Sequence, residues 1–409
     1  MPIRSIPQGT LNRIAHHSDR VRDEMVQVRR AIHAHPELAR TEVATTALVA
    51  DRLREAGLAP RLLPGTGLTC DLLGRKTGGR CVVAIRADLD ALPIEENTGL
   101  PFSSTRHGVS HACGHDAHTS AVLGAGLVLA SLAAEGELPA GVRLLFQPAE
   151  EAQPGGAHDA IDAGALDGIE RILALHCDPR LDVGQVGTRI GPITSASDSV
   201  TVTVSSLGGH TSRPHLTGDV VFALGQVITQ VPAVLGRRLD PRAGVNLTWG
   251  QVQAGSAPNA IPGTGTLRGT LRYLDADIAG SIDEVFESAV RQVVAPYAVD
   301  LDVTRVRGVP PVVNDELSTG ILEASARAVL GADSVALTEQ SLGGEDFGWY
   351  LTRVAGGMAR LGTRTPGGRV YDLHQADYRL DERAIDAGTR VLAAAAVLAG
   401  LSARRSGDE

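Results

Sequence analysis

Aromatic side chains are scarce in this 409-residue chain, at 3%. Single-stranded nucleic acid is held by stacking on aromatic platforms, so that class of partner is disfavoured. Positive charge is also in deficit: 38 Lys and Arg against 47 Asp and Glu leave a net −9 at pH 7. A phosphate backbone calls for a basic footprint, which this balance denies. Cysteine is sparse, with Cys70, Cys81, Cys113 and Cys177 in no regular spacing. That excludes a disulfide scaffold and leaves reduced thiols. The longest apolar run, Ala121–Ala134, is too short to span a bilayer and contains Ser131. The opening MPIRSIPQGT has no signal-peptide shape. A soluble, cytoplasmic protein with neither a nucleic-acid nor a membrane partner is expected. Walker A, a dinucleotide fingerprint, Gly-x-Ser-x-Gly and HExxH are missing too, which argues against the chemistries those motifs serve.

What is present is ordinary for a globular chain: 43% hydrophobic and 21% charged residues. The length suggests two or three domains, each able to bury a core. Val21, Met25, Val28 and Ile32 recur at helical spacing and predict a helix over Asp19–Ala34 with Ser18 as N-cap. A second helix is predicted over Glu42–Ala56, capped by Thr41 and stopped at Gly57. Buried strands are predicted at Arg80–Arg86, Val142–Phe146 and Arg171–Leu175, with a helix at Thr119–Ala134 between the first two. This alternation predicts an α/β fold with a mostly parallel sheet covered by helices on both faces.

From about Ser197 to Gly308 the pattern changes. Strands at Val200–Ser205, Val245–Val252, Thr264–Tyr273 and Leu301–Val306 combine with helices at Asp219–Val231 and Asp277–Val294. The order β-α-β-β-α-β is that of a ferredoxin-like α+β domain. After Pro310-Pro311 the first style returns, with helices at Glu316–Leu330 and Asp381–Leu401 and short strands at Ser334–Leu337 and Gly357–Leu361. The expected organisation is a catalytic domain in two parts, 1–196 and 309–409, with an inserted domain at 197–308.

The densest cluster of reactive side chains is His111-Ala-Cys113-Gly-His115-Asp116-Ala-His118. Thiolate and imidazole suit zinc-like metals, and carboxylates complete such sites. Cys113 and His115 are two apart and cannot share a helix face. They can converge from a loop, where Gly114 permits an unusual turn. The pair taken alone reads equally well as a polar loop with a buried thiol. Glu150-Glu151 follows an apolar strand, and two adjacent carboxylates repel unless a cation lies near. One carboxylate then suits a metal and the other a water's proton; a solvated acidic loop is the bland alternative. His176 follows another apolar run, and His374 lies far along the chain. Asp88, at a third strand end, suits either a turn or an acceptor that orients a metal-binding histidine. In α/β sheets ligands bind beyond the carboxyl ends of the strands, where these residues gather.

The motifs HACGHDAHT, FQPAEE, ALHCDP, GGHTSRPH, APNAIP, GTLR, GGEDF and DLHQAD occur in the order seen in the metal-dependent amidohydrolase family. That family holds hippurate hydrolases, N-acyl-amino-acid amidohydrolases and auxin-conjugate hydrolases, with aminoacylases and carboxypeptidases as related branches. The chain resembles it over nearly its whole length, departing at Thr211-Ser212-Arg213, where relatives often carry Gly-Ala. The resemblance implies Cys113, His115, Glu151, His176 and His374 as ligands of one or two divalent ions. Zinc is the first expectation, and manganese, cobalt or nickel also suit such donors. It implies Glu150 as general base. It also implies that the inserted domain acts as a lid and mediates a homodimer, with His210 reaching the partner's active site. Asn259 and Arg272 match positions that contact the substrate's oxyanion or carboxylate. The expected reaction is hydrolysis of the amide of an N-acyl or N-aroyl amino acid. A dipeptidase or carboxypeptidase of the same chemistry is the rival, and a non-catalytic metal-binding scaffold a more distant one.

Overall fold

The computed structural model describes residues 4–74 and 80–403. These divide into two compact units. The first draws on Met1–Ile193, Val312–Glu339 and Asp346–Glu409, and the second on Thr194–Pro311 and Gln340–Glu345.

The first unit is built on an eight-stranded sheet. Its order is Arg61–Leu62, Leu68–Leu72, Gly141–Gln147, Cys81–Asp88, Arg171–Asp182, Ala355–Arg364, Val186–Thr188 and Val335–Leu337. The sheet is mixed. Cys81–Asp88 runs parallel to both neighbours, and Arg171–Asp182 is parallel to Ala355–Arg364. Three other pairings are antiparallel, the first two in the order and that of Ala355–Arg364 with Val186–Thr188, while the last, Val186–Thr188 with Val335–Leu337, is parallel. All eight residues of Cys81–Asp88 are buried, as an unbroken apolar strand covered on both faces must be. Helices Gln8–Ala34, His115–Ala134 and Arg383–Ser402 pack together over the sheet and share its core.

The first helix starts at Gln8, well before Asp19, because Ile14 extends the apolar stripe and is fully buried. Ser18 is therefore inside the helix and caps nothing; its hydroxyl donates to Asp386 Oδ1 at 2.7 Å. The second helix is Val43–Glu55. Thr41 does not cap it but donates to the Leu38 carbonyl at 2.7 Å. Gly57 does end it in a left-handed turn, at φ +77°. The third helix begins at His115, four residues before the expected Thr119, behind Gly114 at φ +87°. A Cβ on Gly114 would sit 2.8 Å from Cys177 Sγ, so both the turn and the packing require glycine.

The second unit has a four-stranded antiparallel sheet in the order Asn246–Ala254, Thr264–Tyr273, Ala196–Ser205 and Asp300–Val309. Val200, Val202 and Val204 alternate inward and are buried. They meet Val220–Arg238 and Ile282–Val294, the two long helices, in a separate core. Asp219 caps the first of these by accepting from Phe222 N. The expected helix at Asp277–Val294 is broken at Ser281, with a 3₁₀ turn at Ala276–Gly280 before it.

Among the described residues, three helices match a membrane span by length and composition: His115–Ala134, Val220–Arg238 and Arg383–Ser402. The reading of Ala121–Ala134 as too short undercounts the first. In that helix and the last, 72% and 83% of the apolar window is buried inside the protein, so those faces already have a partner.

Candidate metal centre

Strands Cys81–Asp88, Gly141–Gln147 and Arg171–Asp182 run in one direction, so their carboxyl ends share one edge of the sheet. Asp88 and Asp90 come from the end of the first, Glu150 and Glu151 from the turn after the second, and His176 from within the third. Cys113 and His115 flank the start of the His115–Ala134 helix. His374 closes the edge from a late loop, at φ +61°, with its N–H donating to the Ala112 carbonyl at 2.8 Å.

Two histidines are oriented alike. His115 Nδ1 donates to the Asp90 carbonyl and His176 Nδ1 to the Cys177 carbonyl, each at 2.9 Å. Fixing Nδ1–H this way leaves the Nε2 lone pair for a metal. His176 Nε2 lies 3.6 Å from Cys113 Sγ. His115 Nε2 lies 3.9 Å from Glu151 and 4.0 Å from Glu150. His374 Nε2 lies 3.1 Å from Glu151 Oε1. Cys113, His115 and His176 form one group whose donor atoms all lie within 4.8 Å of one another; Cys113, Glu151 and His374 form a second. Cys113 belongs to both.

The histidine that Asp88 orients is His118, which lies outside the ligand set the resemblance implies. Asp88 accepts from His118 Nδ1 and from Arg86 Nη1, both at 2.7 Å, while the Nδ1 atoms of His115 and His176 bond to backbone carbonyls. His118 Nε2 in turn accepts the Cys177 N–H at 2.8 Å. Both of its nitrogens are committed.

The electrostatics favour a cation here. Burial pushes the Cys113 thiol up to about 12, partly offset by His115. The thiol therefore stays protonated unless a cation replaces the proton. Burial and Arg360 hold His176 well below its ordinary value, as a neutral ligand. At His115 burial opposes charge, but Asp88 outweighs it and raises the pKa. Glu151 raises His374. Among the described residues, His115 Nε2 is buried without a hydrogen-bond partner, and Glu151 Oε1, 3.9 Å from it, is met only by the ion-pair contact with His374. An orphaned buried nitrogen of this kind is costly. A divalent ion would satisfy the His115 nitrogen and draw the Glu151 carboxylate to itself, so the donor set fits one.

The Glu150–Glu151 turn is held from behind. Asp90 Oδ1 accepts the Glu150 N–H and Asp90 Oδ2 the Glu151 N–H, both at 2.9 Å. Glu42 Oε1 accepts the Ala149 N–H at 2.8 Å, with Ala149 at φ +55°. Glu150 Oε1 lies 3.4 Å from the Asp346 N–H. From sequence Asp90 is only one more carboxylate at a strand end, and Glu42 only the start of a helix. The Asp-x-Asp spacing after an apolar strand is the one local signal for the former.

In the second unit, Gly209–His210 pairs with Ala260–Ile261, and the Asn259 carbonyl accepts the Thr211 N–H at 3.2 Å. His210 and Asn259 are thus neighbours, both exposed. His210 Nδ1 accepts from Ser212 N at 3.1 Å. Arg272, at a register position between Asn246 and Ser197, donates to the Leu342 carbonyl. Among the described residues it has no carboxylate partner.

The model of peptidase family M20/M25/M40 matches residues 84–397. A Rhodococcus jostii protein named putative glutamate–cysteine ligase 2-3 is 52% identical over 372 residues, covering 91% of this chain. The chain spans only 46% of that protein's length. An N-acetyl-L-cysteine deacetylase of Bacillus subtilis is 37% identical over 365 residues, 88% of this chain and 85% of its own. Among solved structures, the Bacillus subtilis YXEP protein, described as a dinuclear metal binding peptidase, superposes with a TM-score of 0.83 at 30% identity. The match covers 94% of this chain and 99% of that one.

Proposed function

The chain belongs to peptidase family M20/M25/M40, a family of metal-dependent amidohydrolases and peptidases, and from that premise we propose that it hydrolyses the amide bond of N-acyl or N-aroyl amino acids. The products are a carboxylic acid and a free amino acid. The observation that carries this reading is the sharing of Cys113 between two three-donor groups, with the extra carboxylate of Glu150 beside them. A site that only stores metal has no use for that second carboxylate.

Cys113, His115, Glu151, His176 and His374 would hold the metal, one or two ions, with zinc favoured by the thiolate and imidazoles. Bound there, a divalent ion supplies Lewis acidity, polarising a carbonyl and acidifying water. Glu150 takes the proton of the attacking water at its carboxylate and returns it to the leaving amine. Its backbone is fixed by Asp90, which keeps the carboxylate at the mouth of the donor cluster. Asp88 acts one step back, through His118. The second unit is assigned the ferredoxin-like role of lid and homodimer contact, with His210 donating to the oxyanion in the partner's site. Asn259 joins it, and the Arg272 fork pairs with the substrate carboxylate. The protein is placed in the cytoplasm on this reading.

The peptidase description of the similar YXEP protein supports a second reading, a dipeptidase or carboxypeptidase using the same residues. A panel comparing acetyl, benzoyl and aminoacyl amides of one amino acid, on protein reconstituted with zinc, manganese, cobalt or nickel, separates the two. Higher kcat/KM for the acyl and aroyl amides is expected. Preference for free-amino dipeptides would assign the second reading, and chelator-insensitive or absent hydrolysis of every member would overturn both.

A further inference from the structure

We infer that Asp90 is a positioning residue for the whole centre, setting the general base and one half of the donor set relative to the other. The inference rests on the proposed function and adds a residue to it. Asp90 is 1% exposed. Its two carboxylate oxygens accept two consecutive backbone N–H groups, those of Glu150 and Glu151, at 2.9 Å each. Neighbouring N–H groups in a turn are spaced as the two oxygens of a carboxylate are, so the side chain fits the turn as an anion fits a nest. The Asp90 backbone carbonyl accepts His115 Nδ1–H at 2.9 Å, and its Oδ1 is 3.4 Å from the same nitrogen. One residue thus touches the backbone beneath Glu150 and Glu151 and the back of His115. The hydrogen bonds to the turn are charge-assisted, the stronger and more directional kind.

The two kinds of contact separate by substitution. Asp90→Asn keeps the backbone carbonyl, and so the hold on His115. It presents one oxygen and one NH₂ to the two N–H groups, so one of them faces another donor and the turn must shift. The group Cys113–His115–His176 should then survive, while Glu151 and Glu150 lose their register. Metal-free Asp90→Asn protein, with circular dichroism matching the wild type, is titrated with Co²⁺ and followed by the thiolate-to-cobalt charge-transfer band and by calorimetry. The first equivalent and its band should be retained. Affinity for the second equivalent should fall at least tenfold, and kcat on the best N-acyl amino acid should fall at least fiftyfold with KM within threefold.

Both affinities and kcat within twofold of wild type would overturn the assignment. So would joint loss of both ions and the band, which marks general collapse. If Asp90→Asn does not fold, Asp90→Ser, smaller and with an oxygen for one N–H, takes the same titration. Selective loss of the second equivalent again supports the assignment, and wild-type behaviour or joint loss again overturns it. Should the wild type hydrolyse no N-acyl amino acid, the proposed function fails, while the cobalt titration still decides Asp90.

Discussion

Asp88 takes the Nδ1–H of His118 at 2.7 Å, and the other ring nitrogen of His118 accepts the Cys177 N–H. His118 therefore has no lone pair left for a cation, although its donor atom falls within ligand distance of Asp88 and His115. His115 and His176 keep Nε2 turned to the site. His115→Ala and His176→Ala should each weaken metal binding by roughly tenfold or more. His118→Ala should keep its metal and lose about 1–3 kcal/mol of stability, the cost of unpaired buried groups. Elemental analysis beside urea denaturation checks this; loss of metal from His118→Ala as complete as from His176→Ala would remove the distinction.

Glu150→Gln should bind metal as the wild type does and lose roughly 10²–10⁴-fold in kcat, the usual worth of a general base. The substitution keeps the Glu150 N–H on Asp90 and removes only the titrating oxygen. Near-normal turnover would take the proton-transfer role away from it.

Metal binding should release protons and tighten as pH rises. The Cys113 thiol stands near 12 and must lose its proton to ligate. His115 is raised well above its ordinary value and His374 is raised too, so protons on these rings compete with a metal. Calorimetry in buffers of differing ionisation enthalpy should give a net release of at least about one proton per first ion. Zero release, or affinity independent of pH between roughly 6 and 8, would contradict a Cys113 thiolate ligand.

Asp116 lies between ligands in sequence but belongs to the scaffold. It accepts from Arg29 Nε at 2.7 Å and faces His33 Nδ1 at 2.8 Å, all three buried. Burial disfavours its charge, yet Arg29 and His33 hold it well below the carboxylate range. Burial also opposes charge on His33, but its bonds to Asp116 and Glu96 raise it. The depressed acid contributes stability above about pH 4 that is lost as pH falls through its folded value. The raised histidine contributes stability fully present below about pH 6.5 and lost as pH climbs through its folded value. Asp116→Asn should thus cost about 3–5 kcal/mol, the range for breaking a buried pair. The loss should be largest between roughly pH 4 and 6.5. Urea melts of both proteins across pH test this, and a pH-independent difference under 1 kcal/mol would refute it.

His210→Ala and Glu150→Gln proteins, each inactive alone, should recover activity when mixed if His210 serves a partner's site. One of the two sites in a mixed dimer then has both residues. Mixed dimers shown to form without any gain would confine each site to one chain.

Much of the first unit is readable locally. Val21, Met25, Val28 and Ile32 mark the first helix, but its start escapes a local reading because Ser18 is a strong cap former. Here Ser18 turns to Asp386, 368 residues away, and a local rule has no access to that partner. The early start of the third helix escapes too, because His115 and His118 look like loop ligands; Gly114 in the left-handed region lets the helix begin beside Cys113. The sheet's antiparallel pairings are hidden because alternation of strands and helices reports on the parallel pairings only.

Residue order alone determined which side chains could do this chemistry, because thiol, imidazole and paired carboxylates after apolar strands are chemically distinctive wherever they fold. Only the tertiary structure decided how they divide the work. It set which ring nitrogens face the site, and it tied His118 to Asp88 and Cys177. It also made Asp90 the support beneath Glu150 and Glu151. All but one of those assignments depend on hydrogen bonds across 25 to 61 positions of chain, His176 alone being turned by its neighbour Cys177. Such bonds form when packing excludes water and every buried donor must find an acceptor, a condition set by the whole fold rather than by any segment of it.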